Sequence, residues 1–167
     1  MKRFLMIAAA LLPLMLMAQA RIGIVNSQQI FELMPEKAAA EAQLKAMSEK
    51  YHAEYELLRG EFDKKYADYQ TVAADASMPE TIKERRVQEL QESDKKMREF
   101  ERKAADDLAA RRTALTQPIT DKIQAAIRAA GEQGGFDLVF DTAVTPVAYT
   151  GPNTVDITPM VKSILGL

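Results

Sequence analysis

Cysteine and tryptophan are absent from this sequence, and histidine occurs once, at His52. Without thiols there is no disulfide framework, no thiolate nucleophile and no thiolate metal site. A single imidazole offers no partner histidine at ligand spacing, so a metal centre is not expected around it. Glycine and proline are also scarce where they would matter. Residues 37–117 contain one of each, Gly60 and Pro79, too few punctuation points for a globular domain of many turns. Long hydrophobic runs are missing as well. The apolar stretch Phe4–Met17 is 14 residues, short of the roughly 20 that span a bilayer.

What that stretch does have is the right company. Lys2 and Arg3 precede it and Ala18-Gln19-Ala20 follows, the three parts of a secretory signal peptide cut between Ala20 and Arg21. Residues 1–20 are therefore expected to be removed on export to the periplasm. The remaining 147 residues carry 20 basic against 24 acidic side chains, a net of −4. That balance does not suit a nucleic-acid binder.

Residues 37–117 are rich in Ala, Glu, Lys, Arg, Gln and Leu, a composition that favours helix. Periodicity breaks between 70 and 79, so two helices form an antiparallel hairpin arm with its tip there. At ~1.5 Å rise per residue each limb is about 50–55 Å long. Apolar residues recur every 11 positions: Leu44, Tyr55 and Tyr66; Met47, Leu58 and Tyr69; Tyr51 and Phe62; Met97 and Leu108; Ala104 and Leu115. An 11-residue repeat is 3.67 residues per turn, which favours nearly straight pairing. The expected seam is Leu44, Met47, Tyr51, Tyr55, Leu58, Phe62, Met97, Ala104, Leu108 and Leu115. Ser77 and Glu80 have capping-box spacing for the second limb. Val72, Met78 and Ile82 fall at the tip, where no partner helix is expected to cover them. Pro118 removes a backbone donor, so a kink, break or hinge is expected near 115–119.

The two ends differ from the middle. Ile22-Gly23-Ile24-Val25 reads as a strand, followed by a short helix around 28–33. After a helix over 119–130, stopped at Gly131, Phe136, Leu138 and Phe140 alternate with Asp137, Val139 and Asp141 as a strand with one strongly apolar face. Val147–Tyr149 and Thr154–Ile157 read as further short strands, and Thr158-Pro159 opens a last helix. Residues 21–36 and 118–167 together make a body too small to be more than marginally stable alone. Self-association through Ile22, Ile24, Val25, Phe136, Leu138 and Phe140 is the expected remedy.

No catalytic constellation emerges. Gly131, Gly134 and Gly135 follow a helix and precede a strand, the reverse of a phosphate-binding loop. Asp137 and Asp141 lie some 13 Å apart at ~3.3 Å per strand residue, too far to share a proton. The basic clusters at 83–86, 95–98 and 102–103 alternate with glutamates as solvated helix faces do. Contact with an anionic membrane surface is their sharper reading.

In this order the elements resemble the Skp/OmpH family. The likeness rests on Ile22–Ser27 with Ile30-Phe31, on Phe136–Asp141, and on Val147–Tyr149 with Asp156-Ile157-Thr158. It implies an α+β fold: a small oligomeric β-body, with a long antiparallel helical hairpin inserted between the N-terminal strand and a C-terminal helix and β-hairpin. It further implies a homotrimer that holds unfolded outer-membrane β-barrel proteins soluble in a cavity between its arms, without ATP or any cofactor. An envelope adaptor protein bridging two partners is the competing reading.

Overall fold

The computed structural model describes residues 20–167; of the expected signal peptide only Ala20 falls within them. The elements in chain order are β1 (Ile22–Val25), α1 (Ser27–Leu33), α2 (Pro35–Ala74), α3 (Glu80–Gly134), β2 (Leu138–Asp141), β3 (Val155–Asp156) and α4 (Thr158–Leu165). The protein is mostly helical, with one small sheet and long helical arms, as expected for its class. It divides into two compact units. One combines the chain up to Glu32 with Lys122–Leu167, and the other is Leu33–Asp121.

The first unit is built around a three-stranded sheet in the order β2-β1-β3. β1 pairs in parallel with β2, Ile22 opposite Leu138 and Val25 opposite Asp141. It also pairs in parallel with β3, Gly23 opposite Val155. The C-terminal β-hairpin expected from the sequence is thus corrected. β1 occupies the slot between β2 and β3, and the 142–154 connection returns the chain so that β3 runs the same way. A crossover of about a dozen residues is what a parallel arrangement requires. Val147–Tyr149, read as a strand, belongs to this irregular connection.

One face of the sheet is covered from within the unit. Val25, Ile30, Ile157 and Val161 are fully enclosed, and Ile123, Ala126 and Ala130 of α3 are also buried. Gly23 sits on this face because a Cβ there would meet Val139 Cγ2 at 3.3 Å and Phe136 Cδ1 at 3.4 Å. Hydrogen bonds lock the strand ends. Ile157 N donates to the Ile24 carbonyl at 2.8 Å and Thr142 N to that of Val25 at 2.8 Å. Asn26 Oδ1 accepts from Gln29 N at 2.9 Å, capping α1, an N-terminal contact of the usual kind.

α3 runs past the expected stop at Gly131 and ends at Gly134. The reason lies one residue further, where Gly135 adopts φ +61°. Phe136 N donates to the Gly131 carbonyl and Gly135 N to that of Glu132. These are the two bonds of a Schellman motif, which needs a left-handed residue after the helix and not within it.

The second unit is a helical hairpin. α2 extends to Ala74, beyond the expected limit near Tyr69. The turn is closed by Asp75, whose Oδ1 accepts from Ser77 N at 2.8 Å and Ser77 Oγ at 2.6 Å. Ser77 is thereby turned back toward Asp75, and no capping box with Glu80 forms. The Pro79 carbonyl accepts from Ile82 N and Lys83 N instead, starting α3. Pro118 lies inside α3 without ending it, so the break does not occur. One missing donor removes one hydrogen bond, and the surrounding turns carry the helix through.

Candidate functional site

Inter-helix contacts in the second unit pair rising positions on α2 with falling positions on α3, the mark of an antiparallel pair. Arg111 Nη2 donates to Gln43 Oε1 at 2.7 Å, and Tyr51 Oη to Asp107 Oδ2 at 2.9 Å. Lys96 pairs with Glu61 at 3.7 Å, and Lys65 Nζ reaches Ser93 Oγ at 3.4 Å. The Tyr51 and Phe100 rings meet edge to face, centroids 5.9 Å apart. Of the residues expected in the seam, Leu58 and Ala104 are buried. Leu44, Met47, Tyr51, Tyr55, Phe62, Met97, Leu108 and Leu115 are half-buried. Two helices alone enclose few side chains from all sides, so partial exposure prevails along this seam.

The tyrosines do more than fill the seam. The Asp107 carboxylate takes the Tyr51 hydroxyl and raises its pKa, as Glu101 does for Tyr55. A negative charge beside the hydroxyl disfavours the phenolate. These hydrogen bonds hold at neutral pH and are lost as pH rises through the raised pKa values. Tyr51, His52, Tyr55, Phe100, Ala104 and Leu108 line a shallow groove of about 330 Å³. A larger groove of about 740 Å³ lies toward the tip, with Tyr69, Ala73 and Val87 among Glu80, Lys83 and Glu84. Val72, Met78 and Ile82 are half-buried, whereas Ala73 and Ala74 are exposed.

At the turn, hydrogen bonds from Ser77 hold the Asp75 carboxyl below the usual carboxylate range. That contribution to turn order is present above the ordinary carboxylate pKa and is lost as pH falls through the depressed value. Asp75→Ala is expected to speed amide exchange at Ser77 and Met78 at pH 7 while leaving exchange at Leu58 unchanged. Unaltered exchange at Ser77 and Met78 would show that the carboxylate does not organise the turn.

Most basic residues of the α3 clusters are paired within the helix: Arg86 with Glu89 at 2.7 Å, Arg98 with Asp94 at 2.8 Å, and Lys95 with Glu99 at 4.0 Å. Exposed pairs of this kind contribute little, about 0–1 kcal/mol. His52 is exposed. Among the described residues no group of three acidic, His or Cys side chains could hold a metal ion, and no helix is long and apolar enough to cross a membrane.

In the first unit, the other face of the sheet is the notable surface. Ile22 stands beside Leu138 and Ile24 beside Phe140. Ile22 is 37 % exposed, Leu138 49 % and Phe140 37 %, while Ile24 is half-buried. The strongly apolar side of β2 is thus the side open to solvent, and Val139 faces inward with Gly23. Val25 is fully buried and belongs to the unit's own interior, while Phe136 is half-buried with the Arg21 guanidinium over its ring. Asp137 is exposed and Asp141 half-buried, and each holds backbone in place: Asp137 Oδ2 accepts from Arg21 N at 2.8 Å, and Asp141 Oδ1 accepts from Ser27 N and Ala143 N. Both act as clips on backbone donors, which strand spacing could not reveal.

Residues 21–165 match the sequence model of a family described as outer membrane protein (OmpH-like). The fold is similar to a crystal structure from Caulobacter crescentus CB15 described as an OmpH-like outer membrane chaperone. Identity is 16 %, the match covers 89 % of this chain and 85 % of that one, and the TM-score is 0.67. No curated protein matches the chain significantly in sequence.

Proposed function

This chain belongs to the OmpH-like family, and from that premise we propose that it is a chaperone, a periplasmic holdase for unfolded outer-membrane proteins. Export by the signal peptide over 1–20 delivers it there. Three copies join through the open sheet face, and the helical hairpins enclose the client. No nucleotide or other cofactor takes part, and we assign no catalytic step.

The observation that carries this reading is the inverted sheet. A strand normally turns its apolar side to its own core, yet here Leu138 and Phe140 stand outward beside Ile22. Full burial of such a side chain is worth about 1.5–3 kcal/mol, and at 37–49 % exposure up to about half of that is forgone at each. A second and third copy of the same face would recover it. Long seams that stay half-wet along the hairpin support the other half of the reading, because grooves edged by Tyr, Phe and Leu suit many weak contacts with an unfolded chain. Val72, Met78 and Ile82 are assigned to client contact at the tip.

The direct test dilutes a urea-unfolded β-barrel protein into buffer and follows light scattering. Suppression near one trimer per client is expected. No suppression, with a folded partner retained instead, would replace the holdase by an adaptor.

We further propose that α3 flexes at 115–119, letting the arms admit clients of several sizes. Pro118 offers no donor to the Ala114 carbonyl, which weakens that turn. Amides of 115–120 are expected to exchange faster than those of 104–110, and Pro118→Ala should abolish the difference. Equal protection in the native chain would rule out flexing there.

A further inference from the structure

The corner where β1 begins holds a set of contacts that the holdase reading does not use, all converging on Arg21. Its backbone N lies 2.8 Å from Asp137 Oδ2. Its guanidinium donates from Nη1 to the Gly134 carbonyl at 2.6 Å and covers the Phe136 ring, 4.8 Å from the centroid. Its carbonyl accepts from Asp137 N at 3.0 Å. One residue is therefore gripped at its amine nitrogen, side chain and carbonyl by three residues of one short stretch, Gly134, Phe136 and Asp137. The left-handed Gly135 makes that grip possible by turning the chain sharply between α3 and β2.

Arg21 is also the residue that cleavage after Ala20 would leave first, so a role for this corner in maturation rests on the processing part of the proposed function. Hydrolysis adds water across the Ala20–Arg21 amide. Ala20 departs as a carboxylate, and the nitrogen of Arg21 takes up a proton to become an ammonium. In the uncut chain that nitrogen is a neutral amide with a single hydrogen to donate. After cutting it is a cation with three, already beside a carboxylate. The carboxylate makes the hydrogen bond charge-assisted in either form, and cutting adds to it the attraction between two full opposite charges in contact.

We infer that Asp137, with the Gly134 carbonyl and the Phe136 ring, is a built receptor for the new N-terminus, so that signal removal itself fastens β1 into the sheet. β1 is the central strand, paired on both sides, and the clamp acts where its ladder with β2 starts. Cutting two residues earlier, after Ala18, would leave Gln19 and Ala20 attached and carry the ammonium away from Asp137. The receptor is thus specific for one cleavage position. The charged side chains on Arg21 and on residues 131–137 are the guanidinium of Arg21 itself, the Asp137 carboxylate and Glu132 in the last turn of α3.

The test measures how fast the α-amine reacts with acetic anhydride, read by mass spectrometry of the N-terminal peptide. Three proteins are compared at one neutral pH: the chain beginning at Arg21, the same chain with Asp137→Asn, and a chain beginning at Gln19. An ordinary α-amine has a pKa near 7.7–8.0, and a carboxylate partner raises it by about one unit. The Arg21 chain is therefore expected to react about tenfold more slowly than the other two. Asp137→Glu, which keeps the charge, should restore most of the protection. Equal rates for the Arg21 and Gln19 chains overturn the receptor, and that comparison stands even if Asp137→Asn does not fold. Separately, the mass of the exported protein should begin at Arg21. A different start overturns the processing reading, while equal amine rates overturn the clamp.

Discussion

Leu138→Asp is expected to leave the chain folded but monomeric. Leu138 contributes to the open face and not to the enclosed core of Val25, Ile30, Ile157 and Val161, so a single chain tolerates a carboxylate at a site already 49 % exposed. An oligomer does not. On the proposed interface each copy would bring a carboxylate into an apolar contact, at a cost of several kcal/mol per buried, unpaired charge. Around a three-fold axis that cost recurs in every subunit, and it exceeds what the lost leucine contacts alone would remove. Sedimentation equilibrium should show the single-chain mass, with a helical circular dichroism signal close to native. A variant that kept the native mass would place the interface elsewhere. A variant that unfolded would mean that this face is covered within the chain.

Leu58→Ala should be the most damaging single truncation in the hairpin. Leu58 is 5 % exposed, the one leucine of the seam that is buried, and truncating an enclosed leucine costs about 2–5 kcal/mol. The loss should be local. Amides across the middle of α2 and of the facing stretch of α3 should exchange faster, while those of β1 and α4 keep their protection. Leu108 is half-buried, so Leu108→Ala should cost visibly less. Equal costs at the two positions would show that an assembly, and not the hairpin, decides burial along the seam.

Tyr51 and Phe100 illustrate how the sequence could and could not be read. The 11-residue spacing placed Tyr51 on the apolar stripe of α2. It did not single out Phe100, which completes the pair at 5.9 Å, because Phe100 lies off the repeat traced through Met97 and Leu108. Helix content was legible for a simple reason. Propensity and the near absence of Gly and Pro act locally, within a turn or two. Turn chemistry was less so. Ser77 had two carboxylates at usable spacing, and backbone geometry, not spacing, selected Asp75 over Glu80.

The amino-acid sequence by itself determined the helical middle, the strand character of Ile22–Val25 and Leu138–Asp141, and the absence of thiol chemistry. Each follows from composition or short-range periodicity. Which strand lies between which was decided only in three dimensions. Alternation in Phe136–Asp141 marks an apolar side without saying whether a strand's own core or another surface receives it. That outcome depends on β1 entering between β2 and β3, on α3 and α4 filling the Gly23 side, and on Gly23 letting Val139 pack closely against β1. Contacts between residues more than 100 positions apart, such as Arg21 with Asp137, carry no local signature. The tertiary structure therefore turned Leu138 and Phe140 outward and made clips of two aspartates that the chain's pattern presents only as polar spacers.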